Sequence, residues 1–474
     1  MNQLSPFPTT SEELSNWVTE TGKITNSLAL KRAKTAFIDT IACILGAADE
    51  PVTKKVFEGL RGSGGGLCSV VGRAETLSAE NAALVNGTAA HALDFDDNFL
   101  PAVTHASAVL VPALLSLGEE VGASCDQLLD AYIVGLEVQA WLGHHMIPVH
   151  YAAGWHATST LGTIGAAAAC VRILTLDTST ARSAISLATS MACGSKIQFG
   201  SMTKPLHAGL AARAGVTAAR LAAAGVEGHA EPFDGPWGFM SLHHATKRSN
   251  IPENRELSIL KHGLAHKKWP CCASAHRTLD AIYEMIEEHS LSTENIEKID
   301  TIIPESNVKN LRFDNPKTVN EARFSMPFTA ATLVCSKNLT LNDFTETTLH
   351  RQDVRNFMPR VFMHAAPAQT QEETGIWDIP AVTTILTTNG QRITKKIQQP
   401  VGTIHIPLTD EDLELKFLEC AGRTLSTEQA RQFFDCLQDF EQQNARHVAS
   451  YLRNIGANRN RSHHQPVPEH KMDF

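Results

Sequence analysis

The stretch HAGLAARAGVTAARLAAAG, residues 207–225, decides the fold class that this sequence predicts. It contains no proline and is dominated by alanine, which has the highest helix propensity of any residue, so we expect one long helix. Alanine runs lie at 211–212 and 222–224 within this stretch, and another lies at 166–169. Side chains this small let neighbouring helices approach closely. The stretch therefore predicts a helical core that is packed several layers deep.

The segments that precede this stretch extend the same pattern towards the N-terminus. Up to about Gly225 the chain is a succession of Ala- and Leu-rich amphipathic segments, and residues 27–45 carry apolar side chains at helical spacing. Thr10 and Glu13 have the spacing of a capping box. We therefore expect an all-α domain over residues 1–261.

The pattern changes after SNIPENRELSIL, residues 249–260, which is polar and contains proline. Helical and strand patterns alternate beyond this segment. The predicted elements are helices over 278–289 and 322–335, and strands over 298–304 and on both sides of Asn389-Gly390 within 381–397. Asn-Gly between β-branched runs is the strongest short-range signal for a hairpin. These elements predict a smaller α+β domain over residues 262–398.

The C-terminal part of the chain returns to helical patterns. Residues 399–458 are expected to form helices that pack back on the first domain, and residues 459–474 to form a disordered tail. The predicted fold class is therefore mainly α, with a large all-α domain and a smaller α+β domain.

The composition limits the classes of function that are open to this chain. Its 474 residues exceed the size at which one hydrophobic core keeps growing, so two domains are expected. A net charge of −9 and a pI near 6.2 leave no basic stripe that could neutralise nucleic-acid phosphates. Any anion-binding site must therefore be a local concentration of positive charge.

The cellular location and redox state are predicted from the termini, the apolar runs and the cysteines. The N-terminal residues MNQLSPFPTTSEEL do not have the pattern of a secretory signal. The longest apolar stretch, at 162–174, is interpreted as too short to cross a bilayer and contains Arg172. Ten scattered cysteines fit reduced thiols better than a disulfide framework. We expect a cytoplasmic protein with neither a membrane nor a nucleic-acid partner.

The first candidate site is NGTAAHALDFDDNFLPAVTH, residues 86–105, which ends an Ala-rich helix in three carboxylates. Asp94 and Asp97 are three residues apart and are expected on one helical face, and His105 follows beyond a turn. Carboxylates at a helix C-terminus oppose the helix dipole, so their presence needs a reason. The alternative is a polar helix end with solvated acids. The spacing lacks the glycine and the distal glutamate of a calcium-binding EF-hand loop.

The second candidate site is the start of the helix at Lys204-Pro205-Leu206-His207. Proline at the first helical position would place Lys204 at the cap, and Lys204 and His207 would then form a carboxylate-binding site at a positive helix end. Lys204 is also a candidate acid or base. The alternative is a solvated lysine on a surface loop.

Two further segments carry histidines. His156 is expected to begin a helix, where it could also be a simple cap, and Tyr151 just before it offers a phenol that could donate to a carboxylate. The segment HGLAHKKWPCCASAH, residues 262–276, suggests zinc, but its adjacent cysteines are poor tetrahedral partners and Gly263 weakens the helix that a His-x3-His pair needs. The chain has no C-x-x-C arrangement for an iron–sulfur cluster and no G-x-G-x-x-G for a dinucleotide. We therefore expect an enzyme without metal or cofactor.

Four segments of this sequence together resemble the MmgE/PrpD family, which includes 2-methylcitrate dehydratase, cis-aconitate decarboxylase and iminodisuccinate epimerase. They are AHALDFDD (90–97), YAAGWHATSTLG (151–162), MTKPLHAG (202–209) and KKWPCCASAH (267–276). The resemblance spans about residues 8–440. It implies a homodimer, a helical first domain, a smaller α+β domain and an active site in the cleft between the domains.

The resemblance also implies which residues line that cleft. By similarity to the decarboxylase and the epimerase, they are Asp94, His105, His156, Lys204 and His276. Tyr151 is similar to the tyrosine proposed to act with the lysine in the epimerase. One position departs from the family pattern, because EARFSMPF places Phe328 where the decarboxylase has a catalytic tyrosine.

These observations predict an enzyme that removes a proton α to a carboxylate of a small di- or tricarboxylate. Lys204, His105, Tyr151 and His156 are the expected catalytic residues, and Asp94, His207 and His276 the expected substrate-binding residues. A lyase of the 2-methylcitrate or citrate dehydratase type is the first choice. An iminodisuccinate-type epimerase and a cis-aconitate-type decarboxylase are the alternatives. The non-enzymatic alternative is a helical dimer that merely binds an anion.

Overall fold

Helices form most of the chain, which we describe from a computed structural model over residues 9–245, 256–367 and 379–453. The helices of the first part are α1 (Thr10–Glu20), α2 (Ser27–Gly46), α3 (Pro51–Leu60), α4 (Ala79–Ala92), α5 (Ala106–Val121), α6 (Cys125–Met146), α7 (Val149–Ala152), α8 (Ala157–Leu174), α9 (Thr178–Met191), α10 (Thr203–Ala223), α11 (Phe239–Leu242) and α12 (Ser258–Lys261). Two short strands, β1 (Cys68–Ser69) and β2 (Thr76–Leu77), pair antiparallel beside them. The first part is thus all-helical as predicted, apart from this pair of two-residue strands.

The first helix shows how local side chains set the element ends. The Thr9 hydroxyl accepts from the N–H of Glu12, and the Glu12 carboxylate accepts in return from the N–H of Thr9. This is a capping box one residue earlier than the predicted pair Thr10 and Glu13.

Helices α4 and α10 touch along glycine faces. A Cβ on Gly87 would lie 2.9 Å from the Cα of Gly209, and a Cβ on Gly209 would lie 2.2 Å from the carbonyl oxygen of Leu84. Further along, Arg220 near the end of α10 lies 3.2 Å from Glu80 near the start of α4, so the two helices run antiparallel. The end of α4 therefore meets the beginning of α10, where two of the candidate sites lie.

The second part of the chain has its own apolar core. Its helices and strands are α13 (His276–His289), β3 (Ile296–Ile303), α14 (Glu305–Asn310), α15 (Val319–Ala322), α16 (Met326–Ser336), α17 (Glu346–Leu349), α18 (Gln352–Phe357), β4 (Val361–Ala365), β5 (Ala381–Thr387) and β6 (Arg392–Ile397). The sheet order is β4-β3-β5-β6, with β3 parallel to β4 and the other pairs antiparallel. The turn that joins β5 and β6 contains Asn389 and Gly390, and Gly390 has φ +87°. The predicted strands and hairpin are present.

One predicted helix is divided. Residues 322–335 were expected to be continuous, but α15 ends at Ala322 and α16 begins at Met326. The Ser325 hydroxyl accepts from the N–H of Phe328 and so caps a new helix.

The last described helices return to the first core. They are α19 (Asp410–Ala421), α20 (Thr427–Gln438) and α21 (Ala445–Arg453). Phe417, Phe433 and Phe440 are buried in the same apolar cluster as α2, α5 and α6. The predicted tail at 459–474 and most of the polar segment 249–260 lie outside the described residues.

The predicted fold class, a large helical part with a smaller α+β part, is confirmed. Among the described residues one helix, α8, is long and apolar enough to cross a membrane, so the apolar stretch is longer than expected. In the structure 83% of its 18 residues are buried inside the protein. Its apolar composition is therefore accounted for by its place in the core.

Candidate active site

A cavity of about 500 Å³ lies where the two parts of the chain face each other, and both parts line it. Within the described residues its wall contains four permanent cations, seven histidines and a single carboxylate. The cations are Lys204, Lys261, Lys267 and Arg277, and the carboxylate is Asp94. In a chain with a net charge of −9, this is the local concentration of positive charge that an anion site requires.

In the described part of the chain, four helices of more than ten residues begin at this cavity. His105 immediately precedes α5, His156 immediately precedes α8, Lys204 is the second residue of α10, and His276 is the first residue of α13. The N-terminal end of a helix carries a partial positive charge and unpaired N–H groups. The backbone therefore adds to the positive potential of the side chains.

Asp94 lies between two ammonium groups. The Lys204 Nζ is 2.6 Å from Asp94 Oδ2, while the Lys267 Nζ contacts Asp94 Oδ1 and donates to the Asp94 carbonyl at 2.6 Å. Burial acts to raise the pKa of Asp94, but the two lysines outweigh it and hold that pKa well below its usual range. Asp94 is therefore an ionised carboxylate that fixes both lysines.

The structure corrects two expectations about these residues. Helix α4 ends at Ala92 and Asp94 has φ +52°, so Asp94 and Asp97 do not share a helical face. Lys204 lies inside the first turn of α10 rather than at its cap, because the helix begins at Thr203. Its side chain is only 4% exposed, so the alternative of a solvated surface lysine is wrong.

Asp96 and two histidines form a second buried group beside Asp94. His91 Nδ1 is 2.9 Å from both oxygens of Asp96, and His105 Nδ1 is 3.1 Å from Asp96 Oδ2. Burial lowers the pKa of His105 to about 3 despite the carboxylate beside it, so its imidazole is neutral at neutral pH. Asp96 lies beside the His105 ring, and its negative charge acts against the effect of burial on that pKa. A carboxylate next to an imidazole is the pairing that positions a histidine base in an active site.

His156 and His207 contact each other, and they do not share one role. Their Nδ1 atoms are 3.0 Å apart, and only His156 lines the cavity. Burial lowers the pKa of His156 well below its usual range and that of His207 to about 4. His207 therefore supports His156 from behind instead of facing the cavity as predicted.

His276 and Tyr151 line the cavity from different parts of the chain. His276 Nε2 is 3.2 Å from the carbonyl oxygen of Cys271 and must carry the proton there, and burial lowers the pKa of His276 to about 3. The Tyr151 hydroxyl donates to Asn310 Oδ1 at 3.3 Å, and the Lys196 Nζ lies 3.5 Å from the centre of the Tyr151 ring. Burial raises the pKa of Tyr151, so its phenol stays protonated.

Sequence reasoning missed Lys267 and the role of Asp96. Lys267 is the first residue of the segment KKWPCCASAH, but its partner Asp94 is 173 residues away in the sequence, and no local pattern relates the two. Asp97, by contrast, contacts Ser107 in the core, where burial raises the pKa of Asp97 to about 6. Phe328 is fully buried in the second core and does not line the cavity.

Two groups among the described residues have ligand atoms close enough to hold a metal ion. They are His91, Asp96 and His105, and Asp39, Asp97 and His266. In the first group the two Nδ1 atoms lie 2.9 Å and 3.1 Å from Asp96 Oδ2. In the second, the ammonium of Lys416 lies 2.6 Å from Asp39 and already balances the charge of that carboxylate. The cysteines of segment 262–276 join neither group.

Comparisons with known proteins match both parts of the chain. The MmgE/PrpD N-terminal domain matches residues 12–251, and the MmgE/PrpD C-terminal domain matches residues 269–442. The cis-aconitate decarboxylase of Homo sapiens is 31% identical over 372 residues, which cover 76% of each chain. That of Mus musculus is 28% identical over 87% of this chain and 86% of its own. The cis-aconitate decarboxylase of Aspergillus terreus is 23% identical over 86% of this chain and 88% of its own.

Proposed function

The chain belongs to the MmgE/PrpD family, and we propose that it is a lyase that decarboxylates a small tricarboxylate of the cis-aconitate type. Membership of the family, inferred from the sequence motifs, is confirmed, and so is the prediction of an enzyme. The names of the relatives support decarboxylation, which replaces the dehydratase type as the first candidate reaction.

The observation that carries the proposal is the charge of the cavity. Among the described residues, four cations and the starts of four long helices line the cavity together with a single carboxylate, which two of those cations already neutralise. A substrate with three carboxylates is the kind of ligand that this excess of positive charge binds. A neutral or cationic substrate would leave the charge uncompensated.

The chemistry needs a proton donor and a means of stabilising negative charge. During decarboxylation the bond to one carboxylate breaks and its electron pair forms a new double bond. The electron pair of the old double bond then takes up a proton at a carbon next to a carboxylate, and CO2 leaves. The ammonium groups of Lys204 and Lys267 and the phenol of Tyr151 are candidate proton donors in the cavity, and the helix starts stabilise the developing charge.

A dehydratase is the second candidate, and Phe328 favours it. The position where the decarboxylase has its catalytic tyrosine is occupied here by a buried phenylalanine outside the cavity. Dehydration needs a base that removes a proton α to a carboxylate and an acid that protonates the leaving hydroxyl. The neutral imidazole of His105, beside Asp96, is the candidate base, and the same acids serve both reactions.

The test is a substrate screen of the purified full chain in D2O, with a chelator present throughout. Citrate, 2-methylcitrate, cis-aconitate and iminodisuccinate are followed by proton NMR and by CO2 release. We expect cis-aconitate to lose CO2 and to gain one deuterium, with activity retained despite chelation. A new olefin without CO2 would identify a dehydratase, and deuterium exchange without net product an epimerase.

The same screen tests the non-enzymatic alternative. If none of the four acids is changed but each binds in a calorimetric titration, the chain is an anion-binding protein and the proposed function is wrong. Activity that disappears with the chelator and returns with one metal ion would instead contradict the metal-free chemistry.

A further inference from the structure

A buried ion pair lies directly behind the Asp94–Asp97 loop, outside the wall of the cavity. Lys416 of α19 and Asp39 of α2 are 2.6 Å apart, with side chains 5% and 0% exposed. Taking two charges out of water is unfavourable, and their attraction must first make up for that loss. A hydrophobic pair of similar volume would pack here without that cost, so the ion pair needs a reason other than stability.

Lys416 of this pair contacts the backbone between Asp94 and Asp96. The Lys416 Nζ donates to the carbonyl oxygen of Phe95 at 2.8 Å and lies 4.1 Å from the centre of the Phe95 ring. Phe95 connects Asp94 and Asp96 in the chain. The ammonium therefore fixes the Phe95–Asp96 peptide unit, which lies between the two carboxylates in the chain.

Asp39 of this pair lies close to the segment that contains Lys267. The free oxygen of Asp39, Oδ2, lies 3.4 Å from His266 Nδ1, and the His266 N–H donates to the Gly402 carbonyl at 2.9 Å. The next residue is Lys267, which holds Asp94 from the opposite side. The Asp39 carboxylate is thus linked to both ends of the Asp94–Lys267 contact. It is linked to Asp94 through Lys416 and Phe95, and to Lys267 through His266.

The conformation of Asp94 explains why such support is needed. Its φ of +52° is uncommon for a residue with a side chain, and a residue in that region persists where the surroundings hold it. Asp94 must also keep two ammonium groups at hydrogen-bond distance in a cavity whose other charged side chains, among the described residues, are positive.

We infer that Lys416 and Asp39 are positioning residues that hold the Asp94–Asp96 loop and Lys267 in the arrangement that catalysis uses. Neither lines the cavity, so they act through Phe95 and His266. The kinetic part of this inference rests on the proposed function. We expect loss of the pair to lower kcat, because proton transfer depends on the placement of the lysines. KM should change less, because the helix starts and Arg277 are untouched.

The test compares a charge-free double variant with a matched control pair. Asp39→Asn/Lys416→Met removes both charges together and so leaves no unpaired ion in the core, whereas either single change would. The control, Asp130→Asn/Arg172→Met, removes a second ion pair of the helical part, 2.7 Å long and remote from the cavity. Thermal unfolding, kcat, KM and the crystal structure of the full chain are measured for both.

The inference predicts that the first double variant folds but loses at least ~10-fold in kcat, with KM within about 3-fold of the unchanged protein. Its crystal structure should show the Asp94 carboxylate displaced from Lys204 or Lys267. The control should keep its kcat even if its unfolding temperature falls. Unchanged kcat with an unmoved loop would overturn the inference and leave the proposed function intact. If the unchanged protein turns over no acid, the proposed function fails, and the position of the loop in the two crystal structures still decides the inference.

Discussion

Asp94 is the residue that two of the four cavity cations contact, and Lys204 is the partner whose loss tests its role most directly. Lys204→Ala removes a charge that can hold a substrate carboxylate and a proton that can be donated. We expect kcat/KM to fall by at least ~10²-fold, the low end for losing a positioned acid–base group. Steady-state kinetics on the substrate identified in the screen measure this.

The same variant also tests the effect of burial. A cap lysine would contribute little to the fold, but Lys204 is buried and ion-paired, and breaking such a pair costs about 3–5 kcal/mol when the partner is left alone. Because Lys267 still neutralises Asp94, we expect a smaller loss and a folded protein. Lys395→Ala, at a surface pair with Glu284 and Glu288, is the control and should leave turnover unchanged. Near-normal turnover of folded Lys204→Ala would place the catalytic centre elsewhere.

The neutral histidines of the site make stability depend on pH. In the unfolded chain His105 and His276 bind protons as the pH falls through about 6.5, whereas burial lowers both folded pKa values to about 3. The unfolded state therefore binds more protons between pH 3 and 6.5, and stability is lost as the pH falls through this range. At pH 5 the loss is of the order of 2 kcal/mol for each histidine.

Urea unfolding at pH 7 and pH 5 checks this prediction. His276→Gln keeps a donor for the Cys271 carbonyl but cannot take up a proton, so its loss of stability between the two values should be about 2 kcal/mol smaller. An equal loss in the variant and the unchanged protein would show that His276 is not held neutral by the fold. Asp94 does not interfere, because a carboxylate with a lowered pKa affects stability only below about pH 4.

Residue types at the site were predictable, but their pairings were not. The histidines and Lys204 stand in motifs whose chemistry can be read locally. The partners Lys204 and Asp94 are 110 residues apart, and Lys416 and Phe95 are 321 apart. A lysine in a sequence is by default exposed, so three buried lysines become visible only when helix packing brings their carboxylates and carbonyls to them.

At the scale of elements, the contact of α4 with α10 sets the position of both site segments. Gly209→Ala would place a methyl group 2.2 Å from the Leu84 carbonyl and 2.4 Å from the Thr88 hydroxyl. The helices would have to separate, and we expect a loss of about 1–3 kcal/mol in the free energy of unfolding. Because Lys204 is carried by the same helix, kcat should fall as well.

Gly59→Ala provides the control for this substitution. Gly59 lies in α3 with no atom within 4 Å of its would-be Cβ, so alanine should stabilise the helix by about 0.5–1 kcal/mol. Chemical unfolding of both variants measures the difference. If Gly209→Ala were as well tolerated as Gly59→Ala, the close contact of the two helices would not exist in solution.

Helix existence followed from the sequence better than helix ends did. The alanine-rich helices and the Asn-Gly hairpin are where their patterns indicate. The start of α1, the start of α10 and the break at Ser325 differ from expectation by one to a few residues. At each of these positions several neighbouring residues could begin the helix, and more than one hydroxyl could cap it. The surrounding contacts decide between them, and the hydrophobic periodicity does not.

At the scale of the whole molecule, the homodimer stays a prediction. Leu210 and Leu221 of α10 are 40% and 38% exposed, and Trp237 beyond that helix is 88% exposed. Exposed apolar side chains on the outer face of the helical part are what a twin subunit related by a closed twofold would cover. Light scattering at micromolar concentration should give twice 51.5 kDa. A stable monomer would contradict the dimer, and Leu210→Asp/Leu221→Asp should shift the mass towards one chain.

Because the cavity has an excess of positive charge, the stability and the activity of the protein should depend on which anion the buffer contains. A ligand that binds only the folded state stabilises it by mass action, by about 2.7 kcal/mol at a hundred times its dissociation constant. Citrate, although a common buffer, is a small tricarboxylate, and it should raise the melting temperature and compete with substrate. In Tris or HEPES buffer the protein should have a lower melting temperature and a higher rate of turnover than in citrate. A melting temperature insensitive to citrate would mean that the cations of the cavity are not available to anions.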